Sequence, residues 1–335
     1  MPKAIIPEAQ ASPTQLPFDP LHPWLAPLAG ISDLPFRLLC RSYGCACACT
    51  EMISAKGLRF GSRGTYPLLN STQEDTPLVV QLFGSGPEDL DYATQLLLDH
   101  GYRWFDLNVG CAVPKVLRQG AGAGMLADIP NLLRTAERMI HIAEPNHVGF
   151  KLRLGLEATS NRMPNLPIDL AALGAGWITL HPRYAKQKFT GTADWSQIAL
   201  LTTKLNIPVV ASGDLFTAKN GLDCLAQTHA TTVMYARGAI RNPAIFAEHN
   251  ALLNQQNYTQ SPIALKKMLL RFLDLVAANT ERDQTKRMRG ILASFVRGLP
   301  NAKNLRLQLV QCQHYQDLYA VLNQGIDTNS VQLKN

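Results

Sequence analysis

Eight short apolar runs, separated by amphipathic segments, constrain the fold of this chain more than any other feature. The runs are 24–28 (WLAPL), 46–52 (ACACTEM), 78–83 (LVVQLF), 104–108 (WFDLN), 148–153 (VGFKLR), 177–181 (WITLH), 207–212 (IPVVAS) and 232–236 (TVMYA). Helical patterns such as 88–100 and 131–143 lie between them, and Pro130 stands where the first turn of a helix tolerates proline. Strand alternating with helix eight times is the arithmetic of a (β/α)8 TIM barrel. A doubly wound parallel sheet stays open as the alternative, because periodicity does not report closure.

The ends of the runs favour the barrel, whose active sites form at the C-terminal ends of the strands. The first run leads into Pro27-Leu28-Ala29-Gly30 and the second reaches Glu51. The third carries Gln81, and the fourth ends at Asn108, ahead of Gly110-Cys111. The fifth carries Lys151 and Arg153, and the sixth ends at His181. The seventh runs into Ser212-Gly213-Asp214, and the eighth ends at Ala236 before Arg237-Gly238. Core packing alone does not explain polar or glycine-rich residues repeated at one rim.

Strand signal stops near residue 245, and 262–280 and 286–324 read as helices with a turn at Gly298-Leu299-Pro300-Asn301. Three segments are therefore expected: an irregular, partly mobile Pro-rich stretch over 1–23, a barrel over 24–248, and a small all-helical domain over 249–335. The net charge of +7 is concentrated in the last segment. From residue 262 onward eleven Lys and Arg (266, 267, 271, 282, 286, 287, 289, 297, 303, 306, 334) face five Asp and Glu. That excess suits either a solvated helix face or a polyanionic partner.

No apolar run approaches the roughly 18 residues of a membrane span, and no basic patch leads into an apolar core as in a secretory signal. The seven cysteines are odd in number and scattered. Cys45, Cys47 and Cys49 alternate as on a strand, not at the C-x2-C spacing of a zinc site. A reduced, cytoplasmic protein without a metal site is the simplest expectation. No self-complementary apolar patch is legible, so a monomer is expected.

In barrels the loops after the seventh and eighth strands often form a phosphate site from backbone N–H groups. Gly213 would let the backbone approach closely, and Arg237 would add a forked cationic donor. Lys151 and His181 are polar groups in apolar strands; a buried lysine requires a partner. A flavin phosphate, ribityl chain or ring carbonyl would serve, as would a structural ion pair with Glu51 or Asp106. Gly120-x-Gly122-x-Gly124 lacks the spacing and the preceding strand of a dinucleotide fingerprint, so it reads as a flexible loop at the site mouth. Cys111 follows a strand and a glycine at the expected catalytic rim, a position for a buried structural thiol or a reactive one.

The stretch Asn108-Val109-Gly110-Cys111-Ala112-Val113-Pro114-Lys115-Val116 resembles the N-x-G-C-P-x-x-K-V motif of tRNA-dihydrouridine synthases. Ala26–Asp33, Thr50-Glu51-Met52, Gln81–Gly84, Lys151–Arg153, His181-Pro182-Arg183 and Arg237-Gly238-Ala239 are similar to further motifs of that family, in its order. The resemblance implies FMN held by Pro27, Leu28, Ala29, Gln81, Lys151, His181, Ser212, Gly213, Asp214, Ala236 and Arg237. It implies NADPH (or NADH) as reductant, hydride transfer to C6 of a tRNA uridine, and Cys111 as proton donor to C5. Asn108 would orient the base, Arg183 would contact the substrate, and the basic helices would grip tRNA. Three departures stand out: Ala112 for proline, Ala236 for glycine and Ser212 for asparagine. Competing readings are an FMN barrel reducing a free pyrimidine or another small enoyl compound, an aldolase-like barrel with Lys151 as Schiff-base amine, and a catalytically silent RNA-binding relative.

Overall fold

A computed structural model describes residues 7–10, 13–299 and 301–326. Pro2 of the Pro-rich stretch, Pro300 of the expected turn and the tail from residue 327 with Lys334 lie outside the described residues. Among the described residues nine strands form: β1 (Trp24–Leu25), β2 (Cys47–Cys49), β3 (Ile53–Ser54), β4 (Leu78–Phe83), β5 (Trp104–Val109), β6 (Val148–Arg153), β7 (Trp177–His181), β8 (Val209–Ala211) and β9 (Thr232–Tyr235). All pairings are parallel. β1 pairs with both β2 and β9, and β2 pairs with β4, so eight strands close into a ring. This is the expected TIM barrel, and closure leaves no unpaired edge in the ring.

The second expected run is split. Its ladder breaks at Thr50, whose hydroxyl oxygen accepts from the Gln81 amide at 3.1 Å, and resumes as β3 beside the upper end of β4. Crossover helices cover the outside, among them Pro87–Asp99 and Ile129–Ala143, which match the expected segments. The second is capped by Asp128, whose carboxylate accepts from Asn131 N at 3.1 Å.

Alternation along the strands gives the barrel two apolar sets. Outward side chains pack under the helices. Inward ones form a second cluster that includes Trp24, Cys47, Cys49, Val79, Trp104, Trp177, Val210 and Met234. The described part of the Pro-rich stretch, residues 7–10 and 13–23, holds no helix and closes the barrel floor. Phe18 lies 5.1 Å from Trp24 and 5.8 Å from Trp177 between ring centroids, and Trp24 Nε1 donates to Pro17 O at 2.9 Å. Gly149 is required by close approach, since a Cβ there would sit 1.9 Å from Trp177 Cε2.

The expected second C-terminal helix is divided into Thr285–Phe295, Ala302–Gln311 and Tyr315–Gly325. The last starts at a capping box between His314 and Asp317. Helix Pro262–Asn279 packs on helix Leu34–Arg41, with Phe272 edge-on to Phe36 at 5.8 Å. The expected boundary at 248/249 falls inside the continuous helix Ile245–Leu253, which a non-helical stretch over 254–261 follows.

Substituting Gly149→Ala should lower stability by about 1–3 kcal/mol through overpacking against Trp177. Thermal unfolding reads this, and the double variant G149A/W177F should recover part of the loss. An unchanged Tm in G149A would contradict the packing.

Candidate active site

A cavity of about 260 Å³ opens at the C-terminal ends of the strands. Ala26, Pro27, Leu28 and Ala29 line it after β1, Asn108, Gly110 and Cys111 from β5 and the turn beyond it, Lys151 and Arg153 from β6, and His181 from β7. Ser212, Gly213 and Asp214 follow β8, and Ala236 and Arg237 follow β9. All the expected site residues but Gln81 and Arg183 therefore meet at one cavity. Met52, Met234, Phe189, Leu215 and Phe216 add apolar wall.

The Cys111 turn is held by Asn108. Its Oδ1 accepts from Gly110 N at 3.1 Å and Cys111 N at 2.8 Å. Its Nδ2 donates to Gln81 Oε1 at 2.8 Å and to the Met52 thioether at 3.0 Å. The expected base-orienting amide is thus engaged in shaping the loop, and its weak sulfur contact is the one that a carbonyl oxygen would replace. Gln81 is completely buried, with Nε2 donating to Asp106 Oδ2 at 2.6 Å. It supports Asn108 from below and is not among the residues lining the cavity, to which it was expected to contribute a cofactor contact.

Cys111 is half-buried, whereas the other six cysteines are buried. Burial pushes the thiols of Cys45 and Cys224 up to about 12, so they stay protonated and inert. Among the described residues no group of three or more His, Cys, Asp and Glu is arranged to hold a metal. The Gly120–Gly124 stretch leads into a buried 3-10 helix (Gly122–Ala127) and is not a loop at the mouth. At Gly122, φ is +59° and a Cβ would come within 2.8 Å of Cys111 O, while Ala123 N donates to that carbonyl at 3.0 Å. The glycine therefore lets this helix brace the cysteine turn.

Arg153 completes the brace. Its Nε donates to Gly110 O at 2.8 Å, and Nη1 donates to Tyr184 O and Lys188 O at 3.1 and 3.0 Å. Burial lowers its pKa to about 10, with Arg183 adding to the effect. Arg153 is two residues beyond Lys151 on the inward face, so strand periodicity alone marked it. Phe189 had no such signal: it lies in an irregular loop, and the fold places its ring 4.5 Å from the guanidinium of Arg237.

Arg183 is 1% exposed and faces protein on every side. Nη1 and Nη2 donate to Asp214 Oδ1 and Oδ2 at 2.9 and 2.6 Å, Nε to Thr190 O at 3.2 Å, and Nη2 also to Gly191 O at 2.7 Å. The guanidinium from which a substrate contact was expected is thus engaged by Asp214 and by the carbonyls of Thr190 and Gly191. Nη1 also lies 3.2 Å from His181 Nε2. A guanidinium only donates, so Nε2 accepts and the ring proton sits on Nδ1. Burial, followed by the fields of Lys151, Arg153, Arg183 and Arg237, drives the His181 pKa down to about 2. The imidazole is neutral at any physiological pH.

Burial alone would raise the carboxyl of Asp214, but hydrogen bonds from Arg183 and Ala193 N, with the charges of Arg183 and Arg237, hold it below the ordinary range. Gly213 has φ +109°, and a Cβ there would lie 2.8 Å from His181 Cδ2, so this turn requires glycine. Lys151 makes no hydrogen bond or ion pair with any described residue. Neither Glu51 nor Asp106 makes the direct salt bridge expected as its alternative, although the charge of Asp106 reaches Lys151 through space; Glu51 instead accepts from Gly30 N.

Comparison with known proteins follows the same outline. The dihydrouridine synthase family profile matches residues 24–330. tRNA-dihydrouridine synthase B of Xanthomonas axonopodis pv. citri is 32% identical over 227 residues, 67% of this chain and 67% of that protein. A probable tRNA-dihydrouridine synthase 1 of Synechocystis is 29% identical across 96% of this chain and 92% of its own length, and one of Aquifex aeolicus is 30% identical across 88% and 92%. Among solved structures, morphinone reductase aligns with 72% of this chain and 88% of its own at a TM-score of 0.49 and 12% identity, too distant to bear on function.

Replacing Arg183 with Met should destabilise the fold by roughly 1–3 kcal/mol, because it removes two charged hydrogen bonds from a carboxylate left with only Arg237 and the Ala193 N–H. The sign in pH follows from Asp214. Its folded pKa is depressed, so wild-type stability from this pair is present above the unfolded carboxyl pKa and is lost as pH falls through the folded one. Denaturant unfolding at pH 7 and in acid should therefore show the gap between wild type and R183M narrowing as pH drops.

Proposed function

The chain belongs to the dihydrouridine synthase family and is a flavin-dependent oxidoreductase that acts on tRNA uridine; we propose that it uses FMN and NADPH, with Cys111 as the proton donor. The observation that carries this reading is the braced, half-buried thiol of Cys111 beside the unpartnered ammonium of Lys151 in one cavity.

The cavity suits a flavin mononucleotide. Its apolar wall of Ala26, Leu28, Met52 and Met234 fits a flat ring, and Lys151 would offer the flavin a cation that bonds no described residue. Pro27 to Ala29 would lie along the same group, with Gln81 supporting it from beneath through Asn108. His181 would donate through Nδ1–H. Ser212, Gly213 and Asp214, with Ala236 and Arg237, would take the phosphate end. Ala236 in place of glycine adds one methyl to that end, and Ser212 retains a hydroxyl where the family commonly has an amide. Bound there, the flavin supplies a hydride, taken from NADPH, to C6 of the uracil ring.

The remaining work belongs to this chain. The S–H bond of Cys111 breaks as a C–H bond forms at C5, leaving a thiolate. Lys151 and Arg153 face that sulfur, so its new negative charge forms between two cations. Half-exposure lets water return the proton. Asn108 sets the height of the sulfur through the Gly110 and Cys111 amides. It meets the base only by exchanging its Met52 contact. Arg183 acts from behind, fixing Asp214 and the His181 tautomer. Ala112, where the family has proline, leaves this turn dependent on Asn108, Arg153 and the Gly122 helix.

A uridine inside folded tRNA must leave its stack to reach the cavity. We assign residues 24–253 to catalysis and the helices from 262 onward, with their Lys and Arg excess, to gripping tRNA phosphates. No helix among the described residues is long and apolar enough to cross a membrane. We place the protein in the cytoplasm with its substrate, as a monomer.

Purified protein should be yellow and should bleach with NADPH in the absence of air. Cys111→Ala should cut dihydrouridine formation by roughly 100-fold or more, the usual share of a general acid, with flavin absorbance and tRNA binding retained. Colourless protein would overturn the cofactor assignment, and full activity in C111A would overturn the role of the thiol.

A further inference from the structure

Beneath the cavity lies a carboxyl that the chemistry above leaves unused. Asp106 is on β5, two residues before Asn108 on the same inward face, and is 1% exposed. Its Oδ2 accepts from Gln81, but its Oδ1 has no partner among the described residues. On the next strand, Asp106 pairs with Gly149 and Asn108 with Lys151, so Lys151 stands one inward step nearer the cavity. Thr179 pairs with Lys151 from β7, and its buried Oγ1 is also unpartnered. Trp177, whose indole covers Gly149, has an unpartnered Nε1 as well. Strands β5 and β7 thus bring three unsatisfied polar atoms to the two sides of β6, directly under the site. A buried carboxylate is costly without a cation, and Lys151 is the cation whose charge acts on Asp106.

The groups around Lys151 decide which of them answers its charge. Arg153 on the same strand opposes it. His181 from β7 is neutral. Cys49 from β2 is pushed well up by burial and stays protonated. Cys111 contributes negative charge only after giving up its proton. Asp106 is the remaining source of negative charge.

We propose that Asp106 is a positioning residue for the reaction, a buried carboxylate that keeps Lys151 in its ammonium form at the cavity floor. The inference rests on the flavin reading of the cavity, since the ammonium matters where electron density collects on the reduced cofactor. Burial lowers the Lys151 pKa to about 8, and the field of Asp106 works against that fall. Burial raises Asp106 to about 7, opposed by the Gln81 hydrogen bond and by Lys151. Each group therefore favours the charged form of the other just above neutrality. Without the carboxylate, Lys151 sheds its proton at lower pH. A neighbouring opposite charge typically moves a pKa by about 1–3 units.

Asp106→Asn is the test, because its amide oxygen can still accept from Gln81. The purified, flavin-loaded variant should keep the wild-type KM for tRNA. Its loss of kcat on the alkaline side should begin about one pH unit or more lower, and the midpoint potential of the bound flavin at pH 8 should fall. In the Lys151→Met background the same substitution should add nothing to either readout. Flavin-loaded D106N with the wild-type alkaline limb and potential would overturn the proposal. Wild-type protein without flavin would instead overturn the cofactor reading beneath it. If D106N does not accumulate folded, wild type decides. Its flavin potential must change slope between about pH 7 and 8, and Lys151→Met must remove that change. A slope shared by both proteins would overturn the proposal.

Discussion

The pairing of β1 with both β2 and β9 is the constraint on which everything else depends. It is only two residues long, yet it converts a row of parallel strands into a ring. Once the ring closes, inward side chains from different strands meet at common levels. Trp24, Trp104 and Trp177 fill the lower level, with Phe18 beneath and Gly149 making room for an indole. The next level is polar, with Gln81, Asp106 and Thr179. The cavity lies above it. The order matters physically: a dry, packed base holds the polar level rigid, and low polarisability around it strengthens every charge the site uses.

The residues that organise the site largely face away from what the cavity would hold. Asn108 uses both ends of its amide to fix the cysteine turn and to tie it to Gln81. Arg153 joins that turn to the loop carrying Phe189. Arg183 orients His181 and Asp214 at once. Each is a planar group with several directed hydrogen bonds, and planarity is what lets one side chain set the geometry of two loops. The helical segment joins the same rim. Arg287 meets Asp33 at 2.6 Å, and Asp33 also caps helix Leu34–Arg41 directly after the Leu28–Gly30 turn. Its position at the start of that helix links the basic helices mechanically to one wall of the cavity.

Much of this was legible before any coordinates. The alternation of runs reported the barrel, and the polar ends of the runs reported its working rim. Lys151, His181 and the glycine turn at 213 were each marked by one polar or glycine residue in an apolar context. Less was legible about direction. Gln81, Asn108 and Arg183 were recognisable as site residues, but a one-dimensional pattern does not say whether an amide or guanidinium faces inward to a ligand or sideways to a neighbouring loop. Phe189 escaped altogether, because a loop has no period to place it.

The sequence by itself determined the eightfold alternation of the barrel, the inward and outward faces, the charge asymmetry of the C-terminal helices and the location of Cys111 at the rim. These follow from local periodicity and residue chemistry, which act over a few positions. Only the tertiary structure decided which polar groups are already satisfied. Arg183 is engaged and Lys151 is not, Asp106 is left with one bare oxygen, and the thiol of Cys111 is open while six others are sealed. Hydrogen-bond satisfaction and burial depend on partners dozens of residues away, and those partners arrive only when the ring closes.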